Sequence, residues 1–221
     1  MKGFQKMSTR IVLIRHGDTP ASKDKRFTGA NDIPLSSEGR VHASALATRL
    51  ARYPIDAIYA SSMSRALDTA RFIAQVHDLE VTPVPDLREM SHGVWDGLSL
   101  DECTAKYPAE VAAYNRDPYT FAPEGGESGE LVLKRALPAM QALVRAHPNQ
   151  ILVVVAHKTT NRLLIAHFVG IEPRLYRDKL GQRPACLNVL EFRDESDAEL
   201  LLLNDIGHYA MTPTPDYPYA V

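Results

Sequence analysis

Residues 151–156, ILVVVA, set six apolar side chains in a row, and a strand with no polar side chain has no face to offer water. Strict alternation would mark a strand wet on one side; an unbroken apolar run marks one buried on both. Stretches 10–15 (RIVLIR) and 56–60 (DAIYA) share the pattern. Helical segments lie between. Ser36 is placed to cap a helix reaching Arg52, with Val41, Leu46 and Leu50 turned to the core. Residues 64–77 carry Leu67, Ala70, Ile73 and Ala74 at helical spacing, and 128–146 and 159–169 follow the same logic. Buried strands alternating with helices predict an α/β fold, a three-layer α/β/α sandwich with helices on both faces of a mostly parallel central sheet. Residues 187–193 (LNVLEFR) and 198–203 (ELLLLN), linked by the ESD at 195–197, predict a hairpin and hence an antiparallel C-terminal strand.

A length of 221 residues, 45 % apolar and 24 % charged, suits one domain spanning 1–221. Residues 87–127, rich in Tyr, Pro, Gly and charge, interrupt the alternation and read as an inserted cap. Residues 1–8 and 210–221 read as loose tails. A net charge of −2 argues against a nucleic-acid partner or an anionic membrane surface. No apolar stretch approaches the roughly 20 residues that span a bilayer, and the run after the basic N-terminus is shorter than a signal peptide requires. Cys103 and Cys186 have neither disulfide-framework nor metal-ligand spacing, so the expected setting is cytoplasmic with both thiols reduced. The helix at 128–147 and the tail after His208 offer surfaces for a homodimer.

In open α/β sheets ligands sit beyond the carboxyl ends of the strands. The first run delivers Arg15, His16 and Gly17 there; the second delivers Ser61, Ser62 and, opening the next helix, Arg65. The run at 151–156 delivers His157 and Lys158, and the extended stretch 81–84 is followed by Arg88 and Glu89. Singly, each has an ordinary structural reading as a strand end, a backbone cap or a solvated helix residue. Jointly they form a site whose composition favours phosphate. Guanidinium forks match phosphate oxygens and stay charged, so Arg15 and Arg65 hold the phosphoryl group. A neutral imidazole is a competent nucleophile, and neighbouring positive charge keeps it neutral, which suits His16. Glu89 is the available acid for a leaving alkoxide, and a phosphate dianion alongside favours its protonated form.

Six ordered elements resemble the histidine phosphatase, or phosphoglycerate mutase-like, superfamily over residues 10–208. They are RHG at 15–17, FTGANDIPLSSEGRVHA at 27–43, SSMSRALDTA at 61–70, LREMSHGVWDG at 87–97, GGES at 125–128, and the histidine after LVVVA. The resemblance implies the α/β sandwich with an inserted cap, no metal and no cofactor. It implies His16 as the phosphorylated nucleophile, Glu89 as proton donor and His157 as the third catalytic group. Arg15, Arg65, Thr28, Gly29 and Lys158 surround the substrate phosphate. The chain departs from the family at two positions. Lys158 stands where a glycine usually follows the second histidine, either adding charge beside the phosphate, reaching a second acidic group on the substrate, or pointing to solvent. Ser22 stands where many members have asparagine. Arg162 keeps the family's downstream arginine.

Mutases of the superfamily carry a long insertion between acid and second histidine. Here 68 positions separate Glu89 from His157, and GVWDG resembles the phosphatase branch. The expected activity is therefore hydrolysis of a small phosphorylated metabolite such as a sugar phosphate or phosphoglycerate-type ester. Mutase-type transfer and a non-catalytic phosphate-ester sensor are the alternatives. Phe27, His92, Trp95, Tyr114, Tyr119 and Phe121 are expected either to line the cap or to pack within it. Lys23, Lys25 and Arg26 are either a solvated charged stretch or, with Lys158, a preference for acidic substrates.

Overall fold

The polar-free run is strand β4 (Ile151–Ala156), an interior strand of a six-stranded sheet in a computed structural model that describes residues 8–23 and 26–209. The others are β1 (Thr9–Arg15), β2 (Ala57–Ala60), β3 (Val81–Pro83), β5 (Leu187–Phe192) and β6 (Ala198–Asp205), in the order β3-β2-β4-β1-β5-β6. Pairs β1–β4, β2–β4 and β2–β3 are parallel, whereas β5 runs antiparallel to both β1 and β6. One strand thus opposes the other five, and the expected hairpin is β5–β6.

The unbroken apolar runs have a direct cause. In β1 and β4, Ile11, Leu13, Leu152 and Val154 face one core, while Val12, Ile14, Val153 and Val155 face a second. Because successive side chains alternate between faces, a strand covered on both sides needs an apolar residue at every position. The second core is closed by helices α1 (Ser37–Leu50) and α2 (Ser64–His77), the first by α5 (Gly129–Ala146) and α6 (Lys158–Phe168). Ser36 caps α1 by accepting the Gly39 N–H at 3.0 Å, and Ser128 caps α5 through the Leu131 N–H.

Val41 corrects the expected α1 face: it is 66 % exposed. The buried positions are Gly39, Ala43, Leu46, Ala47 and Leu50, one helical stripe. Val41, two residues from both Gly39 and Ala43, is rotated about 200° from each and so faces water.

The cap carries α3 (Leu100–Lys106) and α4 (Pro108–Arg116) around a small core of Trp95, Cys103 and Val111. Ser99 and Glu102 form a reciprocal capping box at the start of α3. The loop after RHG is stitched to the cap by Gly97 N–H to Phe27 O (2.7 Å), Phe27 N–H to Leu98 O (2.9 Å) and an Arg26–Glu102 ion pair at 2.7 Å. The expected tails lie, Ser8 aside, outside the described residues, as do Lys25 and the side chain of Lys23.

Candidate active site

Two close backbone approaches fix the end of β1. A Cβ on Gly17 would lie 2.7 Å from Gly39 O, and one on Gly39 would lie 2.1 Å from Asp18 O. The turn after His16 therefore sits against the first turn of α1 with no room for a side chain on either glycine. His16, placed by that turn, is buried, and its Nδ1 lies 2.7 Å from Gly17 O. An N–H···O=C contact there puts the ring proton on Nδ1 and leaves the Nε2 lone pair available. Burial first, then the charges of Arg15 and Arg65, hold this imidazole well below its ordinary pKa, against the opposing pull of the Gly17 bond. The ring is neutral at pH 7.

His157 ends β4, fully buried, its ring centroid 5.1 Å from that of His16. Its Nε2 lies 2.8 Å from Ser61 Oγ, delivered by β2. Ser61 Oγ also accepts the Met63 N–H at 3.4 Å and has its own proton to give to Nε2. With Ser61 as donor, the ring proton of His157 sits on Nδ1, an atom without a protein partner. Burial, then the neighbouring His16, Arg65 and Arg15, drive its pKa well below the usual value.

Arg65, 0 % exposed, opens α2 and spends its terminal nitrogens on Asn31 O (2.8 Å) and Gly29 O (3.2 Å). Gly29 adopts φ +44°, and a Cβ there would collide with Asp96. Arg65 thus holds the Thr28–Gly29 turn over the cleft while its Nε stays unpaired. Arg15 donates to Gln182 O at 2.7 Å and also keeps a buried, unpaired Nε. Buried donors without partners are costly; Arg15 Nε, Arg65 Nε and His157 Nδ1 are three such atoms on residues whose charge or ring neighbours His16.

Glu89 approaches from a different direction. Its carboxylate accepts the Met90 N–H at 2.9 Å and, from the start of α6, the N–H groups of Thr159 (3.2 Å) and Thr160 (3.4 Å). Its backbone is held by Arg135 of α5, which donates to the carbonyls of Asp86 (2.7 Å), Arg88 (2.9 Å) and Glu89 (3.1 Å). Glu127 of GGES orients that guanidinium through two 2.9 Å bonds and also accepts from Arg88 and the Ser91 N–H. Burial raises the Glu127 pKa, but the Arg135 fork, the Ser91 N–H and the charge on Arg88 outweigh it and hold the carboxyl below the usual range. This clamp escaped the sequence reading, although GGES marked one of its two members.

The clamp makes a prediction. Replacing Arg135 with Met loosens the Glu89 segment and should lower kcat for an alkyl phosphate roughly 10- to 100-fold, the scale of a misplacement near 1 Å. The burst of p-nitrophenol from p-nitrophenyl phosphate, whose leaving group needs little protonation, should slow far less, and Arg135→Lys should recover part of the loss. Equal slowing of that burst and of alkyl-ester turnover would mean that the clamp does not act through Glu89.

One cleft of about 750 Å³ gathers Arg15, His16, Glu89, Thr28, Gly29 and Lys158, with Ser22 and Asp18 also on its wall. His157 and Arg65 lie buried behind that surface. Phe27, His92 and Tyr114 line the cleft; Trp95 and Phe121 pack in the cap core, and Tyr119 packs against the main core. Tyr114 does both, meeting Trp95 edge-on at 5.5 Å. Arg162, Tyr176 and Arg177 complete a wall for which the sequence reading had no site role. The signal for Arg162 was its place one turn after Lys158.

Fold and cleft together place two buried histidines, two arginines and one buried carboxylate at the carboxyl edge of a doubly covered α/β sheet. The chain belongs to the histidine phosphatase superfamily (branch 1), whose family model matches residues 11–206. It is 31 % identical over 163 residues to phosphoserine phosphatase 1 of Hydrogenobacter thermophilus, covering 74 % of this chain and 77 % of that one. It is 33 % identical over 191 residues to the metal-independent phosphoserine phosphatase of Arabidopsis thaliana, covering 85 % and 78 %. Among solved structures, the mycobacterial glucosyl-3-phosphoglycerate phosphatase Rv2419c in complex with VO3 superposes with a TM-score of 0.80 at 30 % identity, over 88 % of this chain and 98 % of that one. The chain spans 56 % of the length of a group of longer mycobacterial relatives. Membership together with these phosphatase relatives supports a phosphatase. Among the described residues no helix is long and apolar enough to cross a membrane.

Proposed function

We propose that this chain is a metal-independent phosphomonoesterase that hydrolyses a small phosphorylated metabolite through a phosphohistidine on His16. One observation carries the reading: a buried neutral imidazole has its Nδ1 tied to Gly17 O at 2.7 Å, which turns a free Nε2 toward a cleft flanked by two arginines. In the first step Nε2 attacks phosphorus, the P–O ester bond breaks, and the leaving alkoxide takes a proton from Glu89. In the second, water attacks the phosphohistidine, its proton passes to Glu89, and the P–N bond breaks to release phosphate. Arg15, Arg65 and the Nδ1–H of His157 bear the charge of the equatorial oxygens through both steps.

The arginines supply the positive charge that a divalent ion supplies elsewhere, and among the described residues no three His, Cys, Asp or Glu side chains are grouped to hold a metal. Cys103 and Cys186 are free thiols, in keeping with a cytoplasmic setting. The test is release of inorganic phosphate from p-nitrophenyl phosphate with and without a chelator. The expected result is equal release in both. Ester binding without release would make the protein a sensor, and a chelated enzyme revived only by a divalent ion would overturn the metal-free scheme.

A further inference from the structure

The first turn of α6 is built against ordinary helix electrostatics. Lys158 is its first residue and Arg162 follows four positions later, so both cations share one face a turn apart. Like charges at that spacing repel, and the N-terminal end of a helix is the unfavourable end for positive charge. The first turn holds no acid. Two of its free N–H groups, those of Thr159 and Thr160, are already taken by Glu89.

The other cations on the cleft wall are matched. Arg26 pairs with Glu102 at 2.7 Å, and Arg177 bonds Asn115 and Asp178 and lies 4.7 Å from the centre of the Tyr114 ring. Arg15 faces the reacting phosphoryl group with Arg65. Among the described residues, Lys158 has no hydrogen-bond or ion-pair partner, and the side-chain bond of Arg162 runs from Nε to Leu180 O at 2.6 Å. That bond orients the guanidinium and leaves its terminal nitrogens free. Glu89 is the acid whose charge acts on Lys158. Although much of the Lys158 residue surface is open, desolvation and then the charges of Arg15 and Arg162 pull its pKa down to about 8.

We infer that Lys158 and Arg162 form a second anion subsite that binds a carboxylate on the non-reacting end of the substrate. This rests on the phosphomonoesterase reading and narrows it to acid-bearing phosphate esters. The planar guanidinium fork suits a carboxylate, and the lysine adds a point charge beside it. A cleft of about 750 Å³ has room for a substrate body beyond the phosphoryl group.

The test uses two esters that share a primary alkyl leaving group, 3-phosphoglycerate and glycerol 3-phosphate, which differ by a carboxylate against a hydroxymethyl group. The quantity read is the ratio of their kcat/KM values, so that general damage to a variant cancels. The wild type should favour 3-phosphoglycerate about tenfold or more, and Lys158→Met and Arg162→Met should each cut the ratio about tenfold, mainly through KM. Lys158→Arg should keep it. A wild-type ratio near one, with p-nitrophenyl phosphate hydrolysed normally, overturns the carboxylate subsite alone, as does an unchanged ratio in both variants. No hydrolysis of p-nitrophenyl phosphate by the wild type overturns the parent reading and the subsite with it.

Discussion

His16→Ala should lower kcat/KM by roughly 10⁴-fold or more for every phosphate ester, the scale seen when a covalent nucleophile is lost from a working site. The wild type, quenched in base during turnover of a ³²P-labelled ester, should carry acid-labile, base-stable label, and the variant none. The size of the effect follows from what remains. Arg15, Arg65 and His157 would still bind the dianion, but water attacking directly gains neither the imidazole's nucleophilicity nor the division of one barrier into two. The pH dependence separates this group from an exposed histidine. Burial and the two arginines hold its pKa well below 6.5, so the neutral, reactive form persists as the pH falls through 6.5 and is lost only below its own depressed value. Label should therefore form as readily at pH 6 as at pH 7. Substantial activity in His16→Ala, or a wild type that never carries acid-labile phosphate, would end the covalent scheme. A melting temperature near that of the wild type would show that the loss is not unfolding.

What the sequence disclosed is what depends on local periodicity and strand polarity. The double burial of β1 and β4 is written as unbroken apolar runs, and residues just past the strand ends gather at the carboxyl edge of the sheet, His16 on the cleft wall and His157 and Arg65 buried behind it. His16, His157 and Arg65 were legible for that reason. Ser36 and Ser128 announced their helices because a hydroxyl before an amphipathic stretch has a backbone N–H to accept. Val41 misled because its apolar side chain says nothing about which stripe of α1 meets the sheet. The supports of Glu89 were hidden for a different reason. Arg135 reaches carbonyls 46 to 49 positions away, and the Thr159 N–H lies 70 positions from the carboxylate it binds. No period or spacing encodes such pairs; they exist only once α5 and α6 pack on the same face of the sheet. The cap aromatics were undecided for a related reason, since Trp95 and Phe27 have similar chemistry but only one of them opens to the cleft.

Glu89→Gln should separate substrates by their leaving groups. An alkyl phosphate departs as a strongly basic alkoxide, and removing the proton donor should cost about 10²- to 10⁴-fold in kcat/KM. p-Nitrophenolate leaves without help, so the first turnover of that ester should slow by less than about tenfold. The second step complicates the steady state, because in the proposed scheme Glu89 also takes the proton of the attacking water. In the glutamine variant the phosphohistidine should then outlive its formation. The expected trace is a burst of p-nitrophenol close to the enzyme concentration, then a slow phase, with acid-labile phosphate accumulating on His16. The fold should tolerate the change, since the amide oxygen still accepts the Met90 and Thr160 N–H groups and only the bond from Thr159 loses its acceptor. Equal slowing of the burst and of alkyl-ester turnover would take Glu89 out of the acid's role and leave it as a clamp on the first turn of α6. A normal burst with rapid later turnover would leave it as donor but not as base, and the water would need another acceptor for its proton. In either case the geometry limits the substitutes: His157 is turned to Ser61, and Asp18 accepts from Ser36 at 3.2 Å. The Glu89 carboxylate is fixed by three backbone N–H groups, that of Met90 beside it and those of Thr159 and Thr160 in α6, and that rigidity is what a proton donor placed against a leaving oxygen requires.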